Sequence, residues 1–211
     1  MPNWEHMIGV VLPTRGLVFT ETMIALFKEL EGFDYKVYMS FDKVIPDGHN
    51  ELARQALEDG ADYVLFLEED VVMPEGTIDK MLGKGDVVAM DYGVSSWGCI
   101  ATYQGENMWC GLGCTLVKRE VFFALQYPYF RSDKSLLLND WPKITWIDAG
   151  EQAYGGHDIY FGMKVREKGF KIVKADGEAR HLKLEALGTP EINHGLHKIV
   201  QKPNISKYNI L

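Results

Sequence analysis

The sequence YVLFLEEDVVMP runs from Tyr63 to Pro74. Its first five residues are apolar and favour β-structure, and such a run predicts a strand that is buried on both faces, as in a parallel sheet. Three carboxylates, Glu68, Glu69 and Asp70, follow where this strand leaves the sheet. Because ligands bind at the carboxyl ends of strands in open α/β sheets, the sequence predicts a binding site here.

Glu68, Glu69 and Asp70 form an acidic cluster whose charges repel one another by roughly 1 kcal/mol per pair in water, and more in a partly buried cleft. A divalent cation with oxygen ligands would offset this repulsion. The other interpretation is a solvated acidic turn at the end of the strand, which Pro74 terminates. The stretch alone leaves both interpretations open.

Strands and helices alternate around this stretch. The apolar patterns predict strands over residues 7–12, 35–41, 63–67 and 86–92, and helices over residues 19–30, 50–60 and 78–82. Asn50 is expected to cap the second helix. The alternation predicts an α/β fold with a mostly parallel central sheet that helices flank. Right-handed crossovers then place Thr14, Arg15, the segment after Phe41 and the acidic cluster at one edge of the sheet.

The second half of the chain is less regular. Its patterns predict a hairpin within residues 98–109, strands over 115–117 and 170–173, and helices over 119–125 and 159–168. Residues 127–150 show no clear periodicity, and a long segment of this kind is often a functional loop. We predict one domain over residues 1–187 and a C-terminal arm or lid over residues 188–211.

The composition indicates a soluble globular protein, with 46% hydrophobic and 25% charged residues among 211. A net charge of −8 argues against a broad basic surface for nucleic acid or an anionic membrane. Cys99, Cys110 and Cys114 lack a Cys-x-x-Cys spacing, so we expect reduced thiols in a cytoplasmic protein. No apolar run approaches the ~20 residues of a membrane span, and we expect no membrane partner.

Three blocks of sequence, taken in order, resemble one known family. The first contains RQAL (54–57) and GADYVLFLEED (60–70), the second is GLGCTLVKREVF (111–122), and the third runs from GHDIYF (156–161) through GFK (169–171) to His181. Together they resemble nucleotide-sugar-dependent glycosyltransferases of the GT-A fold, closest to glycosyltransferase family 2. The resemblance covers about residues 6–182 and implies a single GT-A-like (Rossmann-like) domain.

The resemblance implies a hexosyltransferase-type enzyme that uses Mn²⁺ or Mg²⁺. The acidic cluster is similar to the family's Asp-x-Asp motif, which implies that Asp70 binds the metal and that Glu68 faces the ribose or the donor sugar. The first acid of the motif is Glu here instead of Asp. His181 lies where these enzymes often have a second metal ligand. Oxygen ligands with one imidazole suit both ions, and Mn²⁺ tolerates the nitrogen better.

The segment from Gly156 to Asp158 occupies the place of the family's x-Glu-Asp motif, which implies that Asp158 is the catalytic base of an inverting enzyme. A hydroxyl is a weak nucleophile, so a carboxylate within hydrogen-bond reach has to remove its proton. Gly156, His157 and an exposed Trp97 are the acceptor-binding residues that we expect, although His157 stands in the place of Glu. Asp158 also suits the N-cap of the following helix, and one carboxylate can fill both roles.

The resemblance also implies a donor site for a nucleoside-diphosphate sugar, with a UDP-sugar favoured. The donor-binding residues that we expect are Pro13, Thr14, Arg15, Asp42, Glu68, Glu69 and Gly113. The acceptor is open. A hydroxylated base in DNA is one candidate; the acidic net charge opposes it, whereas four lysines against two glutamates in the last 30 residues favour it.

Two other functions remain open from the sequence. A nucleotidyltransferase would use the same sheet and acidic strand end, but it needs a Gly-rich basic loop after the first strand, which is represented here only by Thr14-Arg15-Gly16. A non-catalytic sugar-nucleotide binding module is the other, and it would not need Asp158. Separately, the alternative interpretation of His181 is a solvated loop residue, and that of the aromatic residues near the site is a place in the core instead of a stacking platform.

Overall fold

The computed structural model describes residues 3–41, 43, 45–94, 97–137, 145–149, 156–186 and 197–201. The helices are α1 (Thr20–Glu29), α2 (Asp47–Glu58), α3 (Thr77–Met81), α4 (Arg119–Ala124) and α5 (His157–Glu167). The strands are β1 (Asn3–Pro13), β2 (Phe33–Ser40), β3 (Tyr63–Leu67), β4 (Val71–Val72), β5 (Val87–Asp91), β6 (Gly93–Val94), β7 (Trp97–Gly98), β8 (Ile100–Tyr103), β9 (Glu106–Cys110), β10 (Cys114–Lys118), β11 (Lys134–Leu137), β12 (Thr145–Asp148), β13 (Ile172–Glu178), β14 (Arg180–Ala186) and β15 (His197–Gln201).

A six-stranded sheet in the order β13-β5-β10-β3-β1-β2 forms the centre of the fold. Strand β1 pairs in parallel with β2 and β3, and β5 pairs in parallel with β13. Strand β10 lies between β3 and β5 and is antiparallel to both. The predicted α/β fold with a mostly parallel sheet is therefore confirmed.

Strand β3 is buried on both faces, as its continuous apolar run predicts. Val64 and Phe66 pack into a core cluster that also contains Phe161 of α5, whereas Leu65 and Leu67 pack into the cluster on the opposite face. Successive side chains of a strand point to opposite faces, so one five-residue strand contributes to both layers. This double burial fixes the position of the acidic cluster, which begins one residue after β3 ends.

Three predictions about local structure are wrong. Asn50 does not cap α2, because the helix begins earlier, at Asp47. The Asn50 side chain is buried and is hydrogen-bonded to the backbone of Phe130 instead. Asp158 is not the N-cap of α5, since Gly156 holds that position with a φ of 77°. Part of the segment predicted as an aperiodic loop forms the antiparallel hairpin β11–β12.

Small sheets extend from the carboxyl edge of the central sheet. Strand β14 pairs with β4, directly after the acidic cluster, and also with β15, which belongs to the segment expected to form a C-terminal arm. The predicted hairpin within residues 98–109 is present as β8 and β9. Among the described helices, none combines the length and the hydrophobicity that crossing a membrane requires.

Candidate functional site

Glu68, Asp70 and His181 come together at the carboxyl edge of the sheet. One ligand atom of each residue lies within 4.8 Å of the others, and we call these three residues the metal triad. His181 Nε2 lies 3.2 Å from Asp70 Oδ1. Two carboxylates and one imidazole form a donor set that suits a divalent cation.

Backbone pairing holds the metal triad in place. Val71, the residue after Asp70, pairs with His181 across β4 and β14, and the Leu182 amide donates to the Asp70 carbonyl at 2.8 Å. The Val71 amide donates to the Glu68 carbonyl at 3.2 Å, which closes a turn. Main-chain hydrogen bonds thus fix the Asp70 end of the acidic cluster relative to His181, independently of side-chain contacts.

His181 is only 4% exposed, and its ring has a defined orientation. Its Nδ1 atom lies 2.6 Å from the Gly93 carbonyl oxygen, which can only accept a hydrogen bond. Nδ1 is therefore the donor, and Nε2 faces the Asp70 carboxylate. An unprotonated Nε2 and a carboxylate oxygen both carry lone pairs, so a proton or a cation has to lie between them. The arrangement of Asp70 and His181 is therefore compatible with a bound cation.

Glu69 points away from the triad and fastens the loop after β1. Its carboxylate is 7% exposed and accepts hydrogen bonds from Thr14 Oγ1 at 2.6 Å and from the Arg15 amide at 2.9 Å. Arg15 Nε also donates to it, at 2.5 Å. The structure therefore brings together three residues predicted to bind the donor, and it places the Glu69 carboxylate against Thr14 and Arg15.

A cavity of about 240 Å³ is lined both by Glu68 and His181 of the triad and by the candidate base, Asp158. It is lined by Glu68, Tyr92, Val94, Gly98, Cys99, Trp109, Gly111, Leu112, His157, Asp158 and His181. Asp158 lies in the first turn of α5, where its Oδ1 accepts the Ile159 amide at 2.9 Å. A Cβ atom on Gly162 would lie 2.5 Å from the Trp109 Cβ, so this glycine lets α5 approach β9 closely enough to bring Asp158 to the cavity.

Tyr92 fills the space behind the cavity. Its hydroxyl accepts the Gly113 amide at 2.8 Å, and a Cβ atom on Gly113 would lie 2.5 Å from the same hydroxyl. The Gly113 carbonyl in turn accepts the Glu68 amide at 3.1 Å. Burial, together with the nearby Glu68 carboxylate, raises the pKa of Tyr92 well above its usual value, so this phenol stays protonated. Gly113, predicted to contact the donor, is thus also required by the packing of Tyr92.

His157 contacts a second imidazole in the interior. The ring centroids of His49 and His157 lie 5.0 Å apart, and neither Nδ1 atom has a hydrogen-bond partner within the described part of the chain. Burial lowers the pKa of both histidines, and their proximity lowers that of His49 further, whereas Asp158 raises that of His157. Both rings are therefore neutral near pH 7. No motif or spacing in the sequence marked His49 as a site residue.

The remaining predicted residues stand as follows. Pro13 ends β1, and Gly156 precedes α5. Trp97 belongs to β7, but its side chain and the whole of Asp42 lie outside the described residues. Sequence reasoning missed Asp91, which is buried at the end of β5 and is hydrogen-bonded to the Cys99 amide. The signal that could have identified Asp91 is an acidic residue at the end of a buried strand. The same pattern identified the acidic cluster after β3.

No family model matches this sequence, and no curated protein matches it. Solved structures do share its fold. A197 from STIV is 18% identical and aligns over 94% of this chain and 95% of its own, with a TM-score of 0.58. A putative glucose-1-phosphate thymidylyltransferase from Bacillus anthracis, in complex with a sucrose, is 8% identical over 83% of this chain and 89% of its own, with a TM-score of 0.50.

A glycosyltransferase involved in the glycosylation of the major capsid of PBCV-1 is 14% identical over 58% of this chain and 69% of its own. Its TM-score of 0.35 is too low to establish a common fold. Because A197 and the thymidylyltransferase are only 18% and 8% identical to this chain, their similarity to it shows a shared fold alone. The chain therefore has an α/β architecture that is shared with a nucleotidyltransferase.

Proposed function

We propose that this protein is a cytoplasmic, metal-dependent glycosyltransferase that moves a sugar from a nucleoside-diphosphate sugar to an acceptor hydroxyl. The observation that carries the proposal is the single cavity that Glu68 and His181 share with Asp158. A group that binds a cation and a carboxylate that accepts a proton are the two components that such a transfer requires. The family resemblance favours a UDP-sugar donor and an inverting mechanism.

Asp70 and His181, together with Glu68, would hold Mn²⁺ or Mg²⁺. Such a cation offsets the charge of a diphosphate and the charge that develops on the leaving oxygen. Asp70 and His181 fit this role because Nε2 of His181 faces the carboxylate at 3.2 Å. Glu68, on the wall of the same cavity, would orient the donor sugar or ribose through its carboxylate.

Asp158 would remove the proton from the acceptor hydroxyl. Its carboxylate lines the cavity and keeps one oxygen on the Ile159 amide, which leaves the other oxygen for the acceptor. The ring of His157, the preceding residue, is neutral near pH 7 because burial lowers its pKa. Because this step requires only that the hydroxyl lie within hydrogen-bond reach, it is compatible with a sugar, a small alcohol or a hydroxylated base in DNA.

A nucleotidyltransferase is the second candidate, since the thymidylyltransferase from Bacillus anthracis has this fold. That reaction needs a loop after the first strand whose amides and basic side chain can grip a triphosphate. Here the Glu69 carboxylate already accepts the Arg15 amide and side chain and the Thr14 hydroxyl. This arrangement neutralises the basic loop and therefore supports transfer of a sugar over transfer of a nucleotide.

Product analysis distinguishes the candidates. The protein is incubated with Mn²⁺ and a panel of sugar nucleotides, with small sugars and hydroxymethylated DNA as acceptors, and separately with nucleoside triphosphates and sugar 1-phosphates. We expect release of a nucleoside diphosphate in the first reaction only. Pyrophosphate in the second reaction would establish the nucleotidyltransferase, and binding without either product would establish the non-catalytic module. Activity on DNA that falls steeply with salt would identify that acceptor.

A further inference from the structure

The segment from Asp91 to Gly93 packs against His181 through Tyr92 and Gly93. Asp91 is the last residue of β5, and Gly93 is the first residue of β6. We propose that this segment positions His181 for metal binding and that the Asp91 carboxylate holds the segment in place. The inference rests on the metal site of the proposed function and assigns a positioning role to residues that the resemblance did not mark.

Gly93 sets the orientation of the imidazole. Its carbonyl oxygen lies 2.6 Å from His181 Nδ1 and keeps the proton on that nitrogen. Nε2, the other ring nitrogen, is then the one that can bind a cation, and it faces Asp70. A carbonyl that holds the remote nitrogen of a ligand histidine selects its tautomer and orients its ring. The position of the Gly93 carbonyl therefore decides whether His181 can serve as a ligand.

Tyr92 confines the same ring from a second direction. Its ring stands edge-on to the imidazole, with a centroid distance of 5.3 Å and an interplanar angle of 87°. The Tyr92 hydroxyl is fixed in turn by the Gly113 amide, at 2.8 Å. Because the interior around Tyr92 leaves no room for even a Cβ atom on Gly113, the tyrosine cannot shift toward the glycine. His181 thus has little freedom to turn away from Asp70.

Asp91 anchors the segment to its surroundings. It is 2% exposed, and its Oδ1 accepts the Cys99 amide at 3.0 Å while its Oδ2 accepts Lys174 Nζ at 2.7 Å. Gly93 pairs with Gly98 across the β6–β7 hairpin, and Cys99 is the next residue. The Asp91 carboxylate therefore closes the base of the hairpin that carries the Gly93 carbonyl.

The two partners of Asp91 contribute in different ways. Lys174 is 45% exposed at its side chain and supplies the opposite charge that a buried carboxylate requires. The Cys99 amide follows the β7 strand of the hairpin, so of the two side-chain contacts this hydrogen bond is the one that ties Asp91 to the hairpin. An amide oxygen can replace the carboxylate toward Cys99 but not the charge toward Lys174. The substitution Asp91→Asn therefore separates the hydrogen bond to Cys99 from the charge toward Lys174.

The test measures Mn²⁺ binding to the full chain without substrate, from the electron paramagnetic resonance signal of free Mn²⁺. We expect Asp91→Ala to weaken binding at least about tenfold, as removal of a residue that supports a metal ligand commonly does, and Asp91→Asn to stay within about threefold of the wild type. Asn50→Ala is the matched control, because Asn50 is also buried and also binds the backbone of a distant loop. It should lower stability and leave Mn²⁺ affinity unchanged.

Each alternative result has a distinct meaning. Equal affinities for wild type and Asp91→Ala would overturn this inference and leave the proposed metal site standing. Equal losses in the Ala and Asn variants would also overturn it, since the charge and not the hairpin contact would then matter. A wild-type chain that binds no Mn²⁺ would overturn both proposals. Should Asp91→Ala fail to fold, hydrogen exchange in the wild type decides: the Cys99 amide should be protected, and rapid exchange would contradict the anchoring contact.

Discussion

His181 Nε2 lies 3.2 Å from Asp70 Oδ1, although the two residues belong to opposite halves of the sequence. The pairing of β4 with β14 produces this contact, because it places Val71 opposite His181. The histidine Nδ1 is held by the Gly93 carbonyl, so Nε2 is the nitrogen that faces Asp70 and that can bind a cation in its unprotonated form. This arrangement favours a cation between the two side chains.

Glu68 and Glu69 are expected to respond differently to the same substitution. Glu69→Ala removes the acceptor of three donors in the loop after β1 and should lower the free energy of unfolding by about 2 kcal/mol or more. Glu68→Ala removes one charge from the metal triad and should weaken Mn²⁺ binding, which Glu69→Ala should not do. Urea denaturation and Mn²⁺ titration of both variants check this pair, and equal losses of Mn²⁺ affinity would refute the assignment.

Asp158→Asn should slow sugar transfer by about 10²- to 10⁴-fold, the usual contribution of a general base. The amide oxygen of Asn can still accept the Ile159 amide, so the start of α5 should keep its structure. Stabilisation by the donor should be unchanged. The measurement is the initial rate of nucleoside diphosphate release, with Glu167→Gln at the other end of α5 as the control. An Asp158→Asn variant as fast as the wild type would exclude this residue as the base.

Gly113→Ala should destabilise the protein by about 1–3 kcal/mol through overpacking. The added Cβ atom would lie 2.5 Å from Tyr92 Cζ, and Tyr92 cannot move without losing its contact with His181. Gly48→Ala is the control, because its nearest neighbour would be Ser40 Oγ, at 3.2 Å. Thermal unfolding of the two variants compares them. A Gly113→Ala protein that unfolds at the wild-type temperature would show that this part of the interior is loosely packed.

Stability should depend on pH through His49 and His157. Burial lowers the pKa of both below the ordinary value of about 6.5, so the unfolded chain binds protons before the folded chain does. Stability is therefore fully present above about pH 6.5 and is lost as pH falls, by up to about 1.4 kcal/mol per pH unit for each histidine. His49→Phe should reduce this slope by about half, whereas Asn50→Ala should keep it. Urea midpoints between pH 7.5 and 5 give the slope, and an unchanged slope in His49→Phe would contradict the prediction.

Much of the fold could be predicted from the sequence because its patterns are local. The apolar run of β3 required burial on both faces, and the structure shows Phe66 and Leu67 in opposite core clusters. The direction of β10 could not be predicted, because a strand of five residues carries no local sign of whether its neighbours run parallel or antiparallel. Asn50 shows the same limit: its cap chemistry was visible, but its actual partner, Phe130, is distant in sequence.

The candidate site was predictable to the extent that it follows strand ends. The acidic cluster was visible as a group, but the different directions of Glu68 and Glu69 depend on the turn that closes at Val71. Asp91 was overlooked because its partners, Cys99 and Lys174, come from a hairpin and from β13. A single sequence does not show such long-range pairings, and they determine how His181 is held.

The most direct test of the central claim is a thermal-shift panel of nucleoside diphosphates and sugar nucleotides, with and without Mn²⁺. A ligand at about 100 times its dissociation constant adds about 2.7 kcal/mol of stability. We predict that one nucleoside diphosphate and its sugar nucleotide stabilise the wild type in the presence of Mn²⁺, and that a chelator, Asp70→Ala or His181→Ala each abolish the effect. Stabilisation that survives in both variants, or no response to any member of the panel, would contradict the claim.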